Sequence, residues 1–161
     1  MSQGEKIGRA KAEELFLTFI REYKLGGIPA LLAGSYRRGK ATMGDVDIIF
    51  FPRSGTDEFK IRTAFLQAFG TLKSKKGVKK TGTYKGVSFD CEIASAENRG
   101  AMLLFKTGSA TFNIKMRARA KARGMLLNQY GLWLDGEQVA GVTEESIFTG
   151  LQLGFKEPEE R

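Results

Sequence analysis

The run Gly44-Asp45-Val46-Asp47-Ile48-Ile49-Phe50-Phe51 constrains this chain more than any other segment. Its β-branched and aromatic residues from Val46 to Phe51, closed by Pro52, predict a strand. Successive strand side chains alternate between faces, so Val46, Ile48 and Phe50 enter a core while Asp45 and Asp47 project together from the other side. Two carboxylates placed this way repel unless a cation sits between them. A bare Asp-x-Asp more often marks a solvated strand end, so its neighbours decide the matter. Upstream lies Gly34-Ser35-Tyr36-Arg37-Arg38-Gly39, with Gly44 immediately before the acids. A short buried strand from Ala30 to Gly34 there turns at Gly34-Ser35 into a single helical turn at Tyr36–Gly39. Backbone N–H groups and the Ser35 hydroxyl at that turn can hold a phosphate, and Arg38 can add positive charge.

Composition narrows the chemistry. There is no histidine among the 161 residues, which removes serine–histidine triads, histidine-ligated zinc and imidazole bases. Any chemistry must use carboxylates, and hard oxygen ligands favour magnesium or manganese. The lone Cys91 cannot form an internal disulfide and reads as a small buried residue in a strand. The longest apolar runs are too short to span a bilayer, and the opening residues lack the apolar centre of a signal peptide. A soluble, intracellular protein, in cytoplasm or nucleoid, is expected, with no membrane partner. The net charge is +8, which suits a polyanionic partner. Its basic residues fall in blocks: Lys73, Lys75, Lys76, Lys79, Lys80 and Lys85 share a stretch without one acid, as do Arg99, Lys106, Lys115, Arg117, Arg119, Lys121 and Arg123. Such blocks read as phosphate contacts or as a plain basic surface.

Periodicity supplies the remaining elements. Ile7, Ala10, Leu15, Phe16, Phe19 and Ile20 recur at helical spacing, predicting an amphipathic helix over Glu5–Tyr23 that ends near Gly26-Gly27-Ile28-Pro29. A second helix is expected over Thr56–Phe69, with Phe59, Thr63, Phe65, Leu66 and Phe69 mostly on one side. Val78–Ile93 predicts a hairpin turning at Lys85-Gly86. In its second strand Val87, Phe89, Cys91 and Ile93 face one way, and Ser88, Asp90 and Glu92 the other. Helices follow at about Asn98–Phe105 and Ser109–Arg123, then strand pieces around Leu126, Tyr130–Leu134 and Gln138–Ala140, then a helix capped by Thr143. This order predicts an α+β fold, a palm-like lobe over residues 1–95 and a smaller lobe over 96–161.

The combination of Gly34-Ser35 with Asp45-Val46-Asp47 resembles the nucleotidyltransferase superfamily, and the X-family DNA polymerases in particular. The resemblance implies a palm with a mixed or antiparallel sheet, helices packed on one face, and a small C-terminal α/β lobe. In that family a third aspartate comes from a neighbouring strand, and Asp90 is similarly placed. By resemblance Asp45, Asp47 and Asp90 are the catalytic ligands of two Mg2+ ions, with Mn2+ a possible substitute. Asp45 and Asp47 would hold both, and Asp90 the catalytic one.

A second segment, Thr107-Gly108-Ser109-Ala110-Thr111-Phe112-Asn113-Ile114-Lys115-Met116-Arg117, resembles the family's run that cradles the incoming sugar and base. Asn113 and Arg117 are four apart and share a helix face. The resemblance makes Gly34, Ser35, Arg38, Gly44, Phe105, Gly108, Ser109 and Asn113 nucleotide-binding residues. Arg117 and Tyr130 become template contacts. Asn128-Gln129-Tyr130-Gly131-Leu132 and Phe155-Lys156-Glu157-Pro158 also look like the family's C-terminal lobe, so the likeness covers nearly the whole chain. Phe105-Lys106 stands where the family has an aromatic pair, Ala110 where some relatives have a polar side chain, and Gln129 where a glutamate is often seen. These changes bear on fidelity rather than on the metal ligands.

What the likeness implies is a templated polymerase adding dNTPs to a primer 3′-hydroxyl, filling short gaps in DNA repair. The lysines from Lys73 to Lys80 and Lys85 would hold the duplex. Larger relatives begin with a lyase domain and helix-hairpin-helix elements; the chain is most like the small viral members without them, so no deoxyribose-phosphate lyase activity is expected. A monomer is expected. A different nucleotidyltransferase, template-independent or acting on RNA ends, small molecules or protein hydroxyls, is the alternative, and a non-catalytic DNA-binding protein is a third reading.

Overall fold

The computed structural model describes residues 5–72 and 77–161. In chain order its elements are β1 (Ile7–Gly8), α1 (Arg9–Glu22), β2 (Ala30–Leu32), α2 (Gly34–Arg37), β3 (Thr42–Met43), β4 (Asp45–Phe50), α3 (Gly55–Phe69), β5 (Thr81–Tyr84) and β6 (Val87–Ile93). Then come α4 (Arg99–Thr107), α5 (Ala110–Ala122), β7 (Leu126–Asn128), β8 (Gly131–Leu134), β9 (Glu137–Ala140), α6 (Glu144–Gly150) and a closing 3-10 turn, Pro158–Glu160. Contacts gather these into two units. One comprises residues through Leu32 together with Lys40–Ile93, the other Ala33–Gly39 together with Ala94–Arg161.

The first unit is a four-stranded mixed sheet in the order β2-β4-β6-β5. β4 runs parallel to β6, whereas β2 and β5 are antiparallel to their neighbours. Parallel neighbours need a crossover, and the segment carrying α3 and β5 supplies it. Of the core set expected in β4 and β6, Val46, Ile48, Phe50, Phe89 and Cys91 are all buried, whereas Val87 and Ile93 are half-buried and Ile49, on the aspartate face, is buried too. The core set meets α1 and α3 on one face of the sheet. Phe19 of α1 lies 5.4 Å from the Phe89 ring and 5.9 Å from Phe69 of α3, and Phe65 lies 5.7 Å from Phe50. The β5–β6 hairpin turns at Lys85-Gly86, both with positive φ (50° and 80°), the backbone twist that suits a two-residue hairpin loop.

Three expectations are corrected here. The first helix starts at Arg9 rather than Glu5, because Ile7 and Gly8 pair with Met43 and Thr42 as a two-stranded ribbon. The helical turn after β2 is Gly34–Arg37, two residues earlier than expected. In α3, Phe59 is 72% exposed and Leu66 46% exposed, so neither belongs to the core face. The buried residues of that helix are Asp57, Ile61, Ala64 and Phe65. Asp57 is buried because it works locally: it accepts from the Arg53 backbone N–H and Nε, each at 2.9 Å, while Ser54 caps the helix by accepting from the Asp57 N–H.

The second unit packs α4, α5 and α6 against the three-stranded antiparallel sheet β7-β8-β9. Its core joins Ala101 and Leu104, Met116 and Ala120, Leu127 and Leu132, and Ile147, Phe148 and Leu151. Close approach at the start of α4 requires a glycine. A Cβ on Gly100 would stand 2.1 Å from the Thr143 carbonyl carbon, where the Gly100 N–H donates to the Val142 carbonyl. Thr143 caps α6 through the Ser146 N–H, as expected. Among the described residues no helix is long and apolar enough to cross a membrane.

The two phenylalanines of opposite exposure give a direct check. Phe19→Ala should lower stability by about 3–5 kcal/mol, read from the urea midpoint, whereas Phe59→Ala should stay within about 0.5 kcal/mol of the parent.

Candidate functional site

Within the first unit, the face of the sheet opposite the helices carries the carboxylates. Register pairs Asp47 with Asp90 and Asp45 with Ser88. Paired residues on adjacent strands project from the same face, and neighbouring strands lie about 4.8 Å apart. Asp45 is exposed, and Asp47 and Asp90 are half-buried. The register is held by the opposite face, since slipping either strand by one residue would drive its aspartates into the aromatic core and expose its apolar set. In donor chemistry the three carboxylates fit a hard divalent ion. Their side chains share a face without closing on one point, for among the described residues no three His, Cys, Asp or Glu side chains form a group that could hold a metal ion.

Glu92 continues the same face of β6 and is ion-paired with Lys80 at 2.8 Å. Lys80 is therefore engaged inside the unit. Lys79 and Lys85 are exposed. Lys73, Lys75 and Lys76 lie outside the described residues.

In the second unit the Gly-Ser segment is tied to the end of α4. Ser35 Oγ accepts from Arg38 Nη2 at 3.2 Å, and Arg38 Nη1 donates to the Thr107 carbonyl at 2.6 Å. Gly108 follows with a φ of 71°, and a Cβ there would come within 3.0 Å of Arg38 Nη1. The positive φ favours glycine at this position, and a side chain there would displace the Arg38 guanidinium slightly. Ser109 caps α5 by accepting from the Phe112 N–H. Ser35, Arg38, Gly108 and Ser109 thus gather around one loop, with the Arg38 guanidinium spent on a carbonyl and a hydroxyl.

Sequence reasoning missed the charged centre of this unit. Glu144, 4% exposed, accepts from Arg37 Nη1 and Nη2 at 2.8 and 2.9 Å. It also accepts from Arg161 Nη1 and Nη2 at 2.7 and 3.3 Å. Arg37 Nη1 adds a bond to Thr107 Oγ1 at 2.8 Å. The Arg161 guanidinium lies 5.3–5.7 Å from the rings of Phe112, Phe148 and Phe155, a fully enclosed cation–π setting. Burial pushes the Glu144 carboxyl up, but hydrogen bonds from Arg37 and Arg161 and their charges outweigh it and hold the pKa below the ordinary value. Nothing in the sequence marks Glu144 apart from Glu145 beside it; only the burial of one first-turn acid separates them.

A small pocket in the same unit collects Phe105 from α4, Asn113 and Arg117 from α5, and Leu127 and Asn128 from β7. Asn113 Nδ2 donates to the Phe105 carbonyl at 2.9 Å, which fixes the amide against the end of α4. Arg117 and Tyr130 are exposed.

Two family models match the chain: DNA polymerase beta palm over residues 9–93 and DNA polymerase beta thumb over residues 102–161. Among curated proteins, DNA polymerase lambda of Rattus norvegicus is 32% identical over 84% of this chain and 29% of its own length. DNA polymerase lambda of Arabidopsis thaliana is 25% identical over 97% of this chain and 36% of its own length. DNA nucleotidylexotransferase of Eulemur macaco is 35% identical over 56% of this chain. The chain thus spans about a third of the length of the two polymerase relatives.

Removing the Glu144 charge leaves two arginines facing each other, so Glu144→Gln should cost about 3–5 kcal/mol at pH 7. The folded pKa lies below the unfolded one, near 4.3, so this stabilisation is present above that value and is lost as pH falls through the folded one. The gap in urea midpoint between parent and variant should therefore be widest at neutral pH and narrow below about pH 4.

Proposed function

The chain belongs to the X family of DNA polymerases, and from that premise we propose that it is a template-directed DNA polymerase, adding a deoxynucleotide to a primer 3′-hydroxyl across a short gap. The observation that carries this reading is the parallel pairing of β4 with β6, which sets Asp90 beside Asp47 on the face that also bears Asp45. When bound, two divalent ions, magnesium with manganese able to replace it, supply electrostatic stabilisation of the transferring phosphoryl group. Asp45 and Asp47 would hold both ions, and Asp90 would complete the one nearer the primer hydroxyl. In this reading residues 1–95 act as the palm and 96–161 as the nucleotide-selecting lobe, in a monomer.

The chain's own groups bind and orient. Ser35 and Arg38, with the backbone around Gly34, take the triphosphate, a task for which oriented N–H groups and a guanidinium are suited. For Arg38 that means exchanging its bonds to Thr107 and Ser35 for phosphate oxygens. Phe105 and the Gly108-Ser109 loop bound the sugar and set its discrimination sterically, since Phe105 has no hydroxyl to add. Asn113 and Arg117 meet the minor-groove edges of the incoming and template bases, where every base offers an acceptor. Tyr130 touches the template. The exposed Lys79 and Lys85 would neutralise backbone phosphates, and the sequence nominates Lys73, Lys75 and Lys76 for the same task.

One observation favours a second reading. The similarity to a nucleotidylexotransferase admits addition without a template. Against it stands the β5–β6 hairpin, which turns in two residues and leaves no long insertion there.

Primer extension on a one-nucleotide gap decides between them. Templated synthesis predicts that the added base follows each of the four template bases, in magnesium and in manganese. Addition that ignores the template would overturn the proposal in favour of the second reading. Each lysine that contacts a phosphate steepens the salt dependence of DNA binding by about 0.9 in log–log slope. Neutralising Lys79 and Lys85 together should flatten it by close to two, and an unchanged slope would remove them from the interface.

A further inference from the structure

Asn128 ends β7 and borders the pocket that holds Phe105, Asn113 and Arg117. Its Oδ1 accepts three hydrogen bonds: from the Tyr130 backbone N–H at 2.9 Å, the Gly131 N–H at 3.1 Å and the Trp133 indole Nε1–H at 3.0 Å. The two ends of a carboxamide have nearly the same shape, so its orientation is decided by its partners. Three N–H donors converging on one atom require that atom to be the oxygen, because an NH2 group there would meet donors alone. A half-buried indole N–H can only donate, so Trp133 in turn needs an acceptor at that point. With the oxygen spent on its own hairpin, what the Asn128 carboxamide has left to offer is its NH2, a pair of donors and no acceptor.

A donor-only group can meet phosphate oxygens, which carry no information about the pair, or minor-groove acceptors, which do; Asn128 borders the pocket of Asn113 and Arg117, the proposed minor-groove contacts. In the minor groove purine N3 and pyrimidine O2 are acceptors at equivalent positions whatever the base, provided the pair has normal geometry. A donor held there senses the shape of a pair and ignores its sequence. The inference rests on the reading of the chain as a templated polymerase. We infer that Asn128 is a specificity-determining residue whose NH2, oriented by Trp133 and the Tyr130 and Gly131 N–H groups, donates to the minor-groove acceptor of a base pair at or next to the insertion site. Trp133 is a positioning residue: it acts through Asn128 and does not itself meet DNA.

Asn128→Asp keeps an oxygen for the three hairpin bonds and replaces the NH2 with a second carboxylate oxygen, so the donor is lost and a negative charge is added. The charge acts on every template alike, and the analogue comparison at one position reads the lost donor. Single-turnover insertion across a one-nucleotide gap is measured for right and wrong nucleotides, on natural DNA and on DNA in which one purine at a time is replaced by its 3-deaza analogue, which lacks N3. The parent should insert the right nucleotide about tenfold less efficiently when the critical purine is replaced. Asn128→Asp should show about that loss already on natural DNA, with narrowed discrimination, and should lose nothing further on the analogue at that one position. Trp133→Phe should fall between them. Urea unfolding checks that each variant is folded, and should Asn128→Asp fail to fold, Trp133→Phe carries the comparison. Losses that multiply at every position, or discrimination equal to the parent's in both variants, would overturn the assignment. A parent that fails to extend the gap would instead overturn the polymerase reading.

Discussion

The parallel pairing of β4 with β6 is the constraint on which the rest of the first unit depends. One face of the pair is apolar and closed by Phe19, Phe65 and Phe69 from the two helices. That closure sets the register, and the register sets the carboxylates. Asp47 stands beside Asp90 because Ile48 stands beside Cys91 and Val46 beside Phe89. The common placement of the three acids is a by-product of core packing, since no hydrogen bond between the acids themselves is needed to set them on one face. Mutual repulsion of the acids makes the arrangement costly on its own, and the buried aromatic face opposes that cost.

The second unit solves its charge problem differently. Its central acid, Glu144, is buried and met by two guanidiniums, one arriving from α2 and one from the end of the chain. Arg37 belongs to the same short segment as Ser35 and Arg38, so the loop nominated to meet phosphate is anchored by an ion pair one residue away from its working side chain. Arg38 itself rests on the Thr107 carbonyl and Ser35. Neighbouring arginines thus take unlike roles: one is locked into a buried pair and the other is held by exchangeable bonds.

Much of this was legible because strands announce their faces. The alternation from Val87 to Ile93 gave both the core set and the outward Asp90, and Lys85-Gly86 gave the turn. Helix faces were harder to read. Phe59 and Leu66 have the residue types of a core stripe, yet Ile61, Ala64 and Phe65 bury the helix instead, because these three, at i, i+3 and i+4, share one face and Phe59 and Leu66 lie off it. The ribbon of Ile7 with Met43 could not be read from either strand alone, since two-residue strands carry no periodicity. Ion pairs across long separations, Lys80 with Glu92 and Arg37 with Glu144, left no local trace. The same is true of Asn128 with Trp133, whose pairing depends on the β7–β8 register.

The central claim is that Asp45, Asp47 and Asp90 act as one site in nucleotidyl transfer. The most direct measurement compares one-nucleotide gap extension by the parent with Asp47→Asn and Asp90→Asn, alongside gapped-DNA affinity for all three. Extension should fall by at least about a thousandfold in both variants, with affinity for DNA within about threefold of the parent's. A variant of either aspartate that extends the primer at the parent's rate would contradict that claim.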